Sequence, residues 1–401
     1  MVFWIITSIR LAPADSMLAS TIQNIQTAIS LAQRGHQVLL WVQRLEGDWK
    51  DWLEKELGRS IPEKLHFFPC SVGGPEGEKK SPFHSIPRRI ANISRALILA
   101  PPPDVIISRS PRILDQLRHT HLISTRRKRI LEYQYPEWAQ LWRKWRQRNP
   151  AASLSEAKRY LGELKEMERE RLSSCIGVLY AAADHERLLS IARYAGPRDL
   201  LPSGCMEPDE NPPILSPSYD IGYVGSLRPE NGVHVLLQAV KLLPAVKVMI
   251  AGDGPAEYVH ELKQIVQRLS PLHSVDFLGH IPVNMVRKTM RLCHIGTVPI
   301  SSRFGPEKRQ YASPLKLVEW FAAGVPVVAS SVPSVVHNVD PASQVLLVPP
   351  DSPKALSSAL ASLLQNPLDR ERLKRNAILV SQQCSFSNRA ARIDAFARRP
   401  M

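Results

Sequence analysis

Residues 223–237 read YVGSLRPENGVHVLL, and the fold follows from how this stretch changes character. The apolar run over 220–224 reads as a strand buried on both faces, the kind found inside a parallel sheet. Gly225 ends it, and a residue without Cβ lets backbone come close to a phosphate. Helical spacing takes over across 232–242. The alternation then continues. KVMIAGDGP at 247–255 gives a strand over 246–251 and a Gly252-Asp253-Gly254 turn, followed by a helix over 258–269. VDFLGHI at 275–281 gives a strand over 275–278, with a helix over 286–293 and a strand over 295–300 after it. SPLKLVEWFAAGVPVVAS at 313–330 gives a helix over 313–323, ended by Gly324, and a strand over 327–329. The tail, 352–398, is mostly helical. Strand–helix alternation of this kind predicts a parallel sheet with right-handed crossovers.

Working outward, the first half repeats the pattern. A strand over 2–8 is followed by a loop with Pro13 and Asp15. A helix over 20–33 carries Ile22, Ile25, Ile29 and Ala32 on one face and stops at Arg34-Gly35-His36, where glycine and cations suit a helix end. A strand over 38–42 completes the unit. Residues 70–90 read as a loop rich in Gly, Pro and Lys. Strands follow over 105–108, 129–133 and 176–181, with helices over 156–173 and 184–192. Residues 196–219 hold six prolines and read as an interdomain linker. The expectation is therefore α/β architecture, with two doubly wound Rossmann-like domains facing a central cleft lined by strand carboxyl ends.

Bulk properties narrow the function. The 401 residues suit two domains. Net charge is +15, and residues 1–200 hold 31 Lys/Arg against 21 Asp/Glu. A basic surface favours an anionic partner: a nucleotide diphosphate, an anionic lipid or nucleic acid. No helix-turn-helix, zinc or RNP-type motif is present to read bases, so nucleic acid is the weakest of the three. The five cysteines, Cys70, Cys175, Cys205, Cys293 and Cys384, are scattered and read as reduced thiols of a cytoplasmic protein. The opening apolar run stops at Arg10, too short for a signal-peptide core or a bilayer span. Trp138, Trp142 and Trp145 share one helical face among Arg143, Lys144, Arg146 and Arg148. Two readings stay open for that face: an interfacial helix on the inner side of the cytoplasmic membrane, or an aromatic stripe packed on the protein.

The four C-terminal stretches, in this order and spacing, resemble the family-4 retaining glycosyltransferases. The resemblance extends more weakly through PADSMLASTIQNIQTAISLAQRGHQV (13–38), DVIISR (104–109) and ILEYQ (130–134). It implies a GT-B fold, with an acceptor domain over 1–205, a donor domain over 206–380 and a last segment, 381–401, packing back on the first domain. It implies transfer of a hexose from a nucleotide-diphosphate sugar to an acceptor hydroxyl with retention. The acceptor would be a polysaccharide, a lipid-linked molecule or a small molecule, and a cell-envelope polysaccharide or lipid-linked acceptor fits the basic, Trp-bearing first domain. No metal or other cofactor is expected, since Asp253 stands alone rather than in an Asp-x-Asp triplet.

The resemblance assigns residues as well. Glu319 would accept the ribose hydroxyls, and Arg228 and Lys316 would stabilise the departing diphosphate. Gly225, Ser226, Asn231, Gly254, His280, Ile281, Tyr311, Ser313, Pro314 and Leu315 would line the donor. Asp15, Ser16, Arg109, Glu132 and Gln134 would line the acceptor. Plain alternatives stand beside these: a solvated loop arginine at 228, a surface lysine at 316, an exposed helix glutamate at 319, a tight turn at 252–254 and a satisfied strand-end carboxylate at 132. The pattern also departs from the family. Tyr311 stands where the first glutamate of Glu-x7-Glu belongs, Ser226 and Asn231 replace the two cations of the phosphate loop, and Gln134 replaces a histidine. A second function reading follows: a degenerate GT-B protein serving as a binding or scaffold partner of another transferase.

Overall fold

The computed structural model describes residues 1–7, 9–12, 19–70, 86–118, 128–134, 136–182, 184–207, 216–303, 315–339 and 344–400. The chain divides into two compact units. One comprises Met1–Lys55, Arg59–Pro202 and Arg389–Met401, the other Ser203–Asn388 with Glu56–Gly58. The return to the first unit therefore begins at Arg389, not at 381: the helix Pro367–Gln383 belongs to the second unit, and the last helix, Phe386–Arg398, starts there and ends in the first.

The strands of the first unit are β1 (Val2–Ile6), β2 (Arg10–Leu11), β3 (Gln37–Val42), β4 (Arg44–Leu45), β5 (Leu65–Pro69), β6 (Val105–Ser108), β7 (Lys128–Tyr133), β8 (Gly177–Tyr180) and β9 (Arg198–Leu200). Seven form one parallel sheet in the order β5-β3-β1-β6-β7-β8-β9, while β2 and β4 pair separately. Chain direction across the sheet reverses between β1 and β6, the switch point at which ligands of doubly wound sheets bind. All four residues of β6 are buried, as are Phe3–Ile6 and Val38–Val42, which is why these segments are apolar throughout rather than alternating. Two elements lie where no regular structure was expected. β9, half-buried at the sheet edge, falls within the Pro-rich 196–219 stretch, and the helix Ile86–Leu99 begins inside the 70–90 stretch.

The second unit holds β10 (Tyr219–Val224), β11 (Lys247–Ala251), β12 (Ser274–Gly279), β13 (Cys293–Val298), β14 (Val327–Ser330) and β15 (Leu346–Val348) in the order β12-β11-β10-β13-β14-β15, all parallel. Its switch point lies between β10 and β13. Alternate residues enter opposite cores: Ile221, Tyr223, Val248 and Ile250 on one face, Val224, Met249 and Ala251 on the other. The helix expected over 286–293 runs Val283–Met290, because Cys293 is already the first residue of β13.

One packing feature sets the site. Gly222 and Gly296 are opposite one another on β10 and β13, and a Cβ at either would collide with the indole of Trp320. The two glycines make a slot for that fully buried ring. The slot holds the helix Leu315–Ala323 close against the sheet and fixes its face carrying Lys316 and Glu319.

Candidate functional site

In the second unit, the candidate residues collect at the carboxyl ends of β10, β11 and β12. Gly225 follows β10 with φ of 143°, in the region that side chains rarely adopt. A Cβ there would collide with Cε of Lys316, so the lysine lies across the bare backbone. Lys316 Nζ donates to the Tyr223 hydroxyl at 2.7 Å and lies 4.8 Å from that ring's centre. The Tyr223 hydroxyl donates to the Ser226 carbonyl at 2.8 Å. Burial holds the Tyr223 phenol far above its ordinary pKa, so it stays protonated and keeps both roles.

Ser226 and Asn231, the positions where cations were absent from the motif, are bound to each other. Asn231 Nδ2 donates to the Ser226 carbonyl at 2.6 Å and to its hydroxyl at 2.9 Å. Asn231 is buried and Ser226 is exposed, so the pair braces the loop. Arg228 is exposed at the start of the short 3-10 helix Pro229–Asn231, and its side chain meets no partner among the described residues. Gly252 and Gly254 let the β11 turn press against this loop: a Cβ on either would strike the carbonyl of Gly225 or Leu227, and Leu227 N donates to the Asp253 carbonyl at 2.7 Å. Gly254 thus shapes the loop through its backbone. After β12, His280 is exposed and Ile281 is half-buried against the core.

Glu319 is half-buried one helical turn beyond Lys316. Burial pushes its carboxyl up to about 7, only partly opposed by Arg287 on the helix Val283–Met290. A carboxylate so raised gains from ligand hydroxyls that donate to it. Leu315 packs with Cys205, Val318 and Ala322. Tyr311, Ser313 and Pro314 lie outside the described residues, as do Asp15 and Ser16 in the first unit.

In the first unit, Arg109, Glu132 and Gln134 come together at the ends of β6 and β7. Arg109 Nε and Nη2 donate to Glu132 Oε1 at 3.0 and 2.6 Å, and Gln134 Nε2 donates to the same oxygen at 2.7 Å. Sequence reading missed the fourth member, Arg389, whose Nη2 is 2.6 Å from Glu132 Oε1. The two guanidinium groups overcome burial and hold Glu132 down at about 2. Glu132 therefore stays ionised and is no general base near neutrality.

The tryptophan stripe lies on the helix Glu137–Arg148 and faces the helix Leu154–Ser173. Trp142 stacks on Trp145 (5.4 Å), Trp145 stacks on Tyr160 (4.9 Å), and Lys165 covers Trp138 (5.4 Å). All three indoles are half-buried. Of the two readings left open, the contacts describe the aromatic seam, while Lys144, Arg146 and Arg148 stay exposed, with Arg146 over the Trp142 ring at 5.9 Å. No helix among the described residues is long and apolar enough to cross a membrane.

Comparison with known proteins bears on the family and the fold. Residues 209–380 match the family model described as "Glycosyl transferases group 1". The D-inositol 3-phosphate glycosyltransferase of Corynebacterium glutamicum is 28% identical over 184 residues, which is 44% of this chain and 42% of that protein. The chain thus spans less than half of that relative's length. Sucrose-phosphate synthase from Thermosynechococcus elongatus superposes with a TM-score of 0.72 at 19% identity, over 99% of this chain and 98% of that one. Anabaena HepE in complex with UDP does so with a TM-score of 0.65 at 16% identity, over 98% of each chain. Residues 209–380 thus resemble the glycosyl transferases group 1 domain, and the chain's two doubly wound units have the GT-B fold.

Proposed function

We propose that the protein is a glycosyltransferase that moves a sugar from a nucleoside-diphosphate donor to an acceptor hydroxyl. The observation that carries this is Lys316 lying across the bare backbone of Gly225 at the switch point of the domain that resembles group 1. HepE, of the same fold, has been captured with UDP and with UDP-glucose. Lys316 is the cation that meets the diphosphate here, since the two loop positions where the family carries cations are spent on the Ser226–Asn231 brace. Arg228 adds a second, mobile charge from solvent. Glu319 accepts the ribose hydroxyls, which would draw its carboxyl back into the ionised form.

The finer steps are part of the same proposal. The sugar is a hexose, the anomeric configuration is retained and no metal takes part. With Glu132 locked as an ion, the acceptor proton goes to a phosphate oxygen of the leaving group, on the same face as the incoming hydroxyl. Stabilising that leaving diphosphate is then the main catalytic task. The protein works in the cytoplasm, where its basic first unit meets an anionic acceptor or surface.

Thermal unfolding with UDP, GDP, ADP and their sugar conjugates tests this directly. A ligand at a hundredfold over its Kd adds about 2.7 kcal/mol to the native state. One nucleotide should raise the midpoint in wild type and fail to do so in Glu319→Ala. If none of them does, the donor site does not exist and the scaffold reading takes over.

A further inference from the structure

Among the described residues, a cluster at the first sheet's carboxyl ends sets two arginines against one carboxylate. Ser108, the last residue of β6, pairs with Leu131 on β7, so Arg109 and Glu132 are neighbours beside the switch point. Glu132 is buried, and a buried carboxylate needs one well-placed cation. Two cations face it: Arg109 through two hydrogen bonds, and Arg389 through an ion pair at 2.6 Å. Arg389 is 2% exposed and donates to Thr27 Oγ1 (3.1 Å) and to the carbonyls of Leu201 (3.3 Å) and Pro202 (2.6 Å). Its Nε and Nη1 are thus hydrogen-bonded to the protein, and among the described residues Nη2 is held by the ion pair with Glu132 alone.

Arg109 is placed differently. Its side chain keeps 21% of its surface exposed, against 2% for that of Arg389. It meets Glu132 through Nε and Nη2, while Nη1 has no hydrogen-bond partner among the described residues. The cluster of Arg109, Arg389 and Glu132 therefore has a net charge of +1, and its surplus is the exposed member. Another cation, Arg392, is held separately by Asp199 at 3.7 Å and by the Leu200 carbonyl. A guanidinium held by a carboxylate on one edge, with no described residue on the other, suits a phosphate, whose oxygens accept from the planar fork.

We infer that Arg109 is a binding subsite for a phosphate ester on the acceptor. The inference rests on reading the first unit as the acceptor side. It restricts that reading to phosphorylated acceptors, whether a soluble sugar phosphate or a phosphate on a lipid. Glu132 acts as the positioning residue that aims Arg109, and Gln134 steadies Glu132 from the same side.

Arg109→Gln isolates the idea, because Arg389 still neutralises Glu132 in that variant and the fold keeps its buried pair. Calorimetric titration compares inorganic phosphate, glucose 6-phosphate and glucose on wild type, Arg109→Gln and Lys316→Ala. Wild type should bind the two phosphates and not glucose. Arg109→Gln should bind the phosphates about tenfold or more weakly, the loss expected for one charge-assisted hydrogen bond, while still unfolding in one cooperative transition. Lys316→Ala should bind them as wild type does.

A parallel arm sediments the proteins with vesicles of phosphatidylcholine alone or with phosphatidylglycerol. Sedimentation that depends on both the anionic lipid and Arg109 assigns the phosphate to a lipid, and its absence assigns it to a soluble acceptor. The inference is overturned if wild type binds neither phosphates nor anionic vesicles, if Arg109→Gln binds them as wild type does, or if Lys316→Ala alone loses them. UDP titrated into the same proteins keeps the two readings apart. Failure of UDP, GDP and ADP to bind wild type counts against the donor site, while an Arg109-dependent phosphate affinity stands on its own measurement.

Discussion

The two sheets share a strand order around their switch points, yet those points are furnished in opposite ways. At the second, chemistry is made by removing side chains: Gly225 has none, Gly222 and Gly296 clear a slot for Trp320, and Lys316 lies in the space left. At the first, charge is packed in: Arg109, Arg389 and Gln134 converge on one oxygen of Glu132. Bare backbone suits a ligand that brings its own charge and is gripped by N–H groups. A dense ionic cluster suits a site whose geometry must persist before any ligand arrives. The first arrangement is cheap to build and easy to vary, whereas the second is costly to disturb.

The largest effect should come from the dense end. Arg389→Gln strands the buried Glu132 carboxylate with only the more exposed arginine, and removing one member of a buried pair costs about 3–5 kcal/mol. Urea unfolding measures this, and a loss no larger than that of Arg109→Gln would show that the two arginines are interchangeable. The same cluster gives the first unit an acid limit. Glu132 is held at about 2 against an ordinary 4.5, so its stabilisation is complete above about 4.5 and fades as pH falls toward 2.

Next comes the bare end. Gly225→Ala places a methyl against Lys316 and forces a side-chain-bearing residue to a φ of 143°. The strain is about 1–3 kcal/mol. Nucleotide binding should fall while the first unit's phosphate affinity stays put, and a parallel fall in both would erase the contrast between the two ends.

A smaller effect separates the ends by pH. Glu319, raised to about 7, must be ionised to accept two ribose hydroxyls. Nucleotide affinity should therefore rise with pH and level off above about 7, by at most tenfold per unit. Glu319→Gln should flatten the profile, and a wild-type profile that is flat between pH 5 and about 8 would remove Glu319 from the ribose site. Smallest of all is Arg228→Ala. An exposed cation with no partner among the described residues contributes about 0–1 kcal/mol, so the affinity for nucleotide should drop less than about fivefold.

How much of this could be read in advance differs between the ends for a physical reason. The second switch point is local. Strand, glycine and helix follow one another within 223–237, and Lys316 and Glu319 share one short helix, so periodicity and glycine spacing expose them. Tyr223 was missed because a buried tyrosine in a strand reads as ordinary core until its hydroxyl is seen between Lys316 and Ser226. The first switch point is non-local. Arg389 lies 362 residues from Thr27, to which it donates, and nothing in the composition of the last helix marks it among its neighbouring arginines. β9 and the helix Ile86–Leu99 were lost for another reason: flanking prolines and glycines masked short elements that tertiary packing stabilises.

The placement of Arg389 also has a consequence in time. The first unit is made first but completed last, because the residue that closes its ionic cluster follows the whole second unit in the chain, 187 residues beyond Pro202. At about 5–20 residues per second, a ribosome needs roughly ten to forty seconds to cover that distance. During that interval the nascent first sheet holds Glu132 without its inner partner. It is then a body waiting for its last bolt, and it is the half of the protein for which a chaperone or a pause in synthesis would matter.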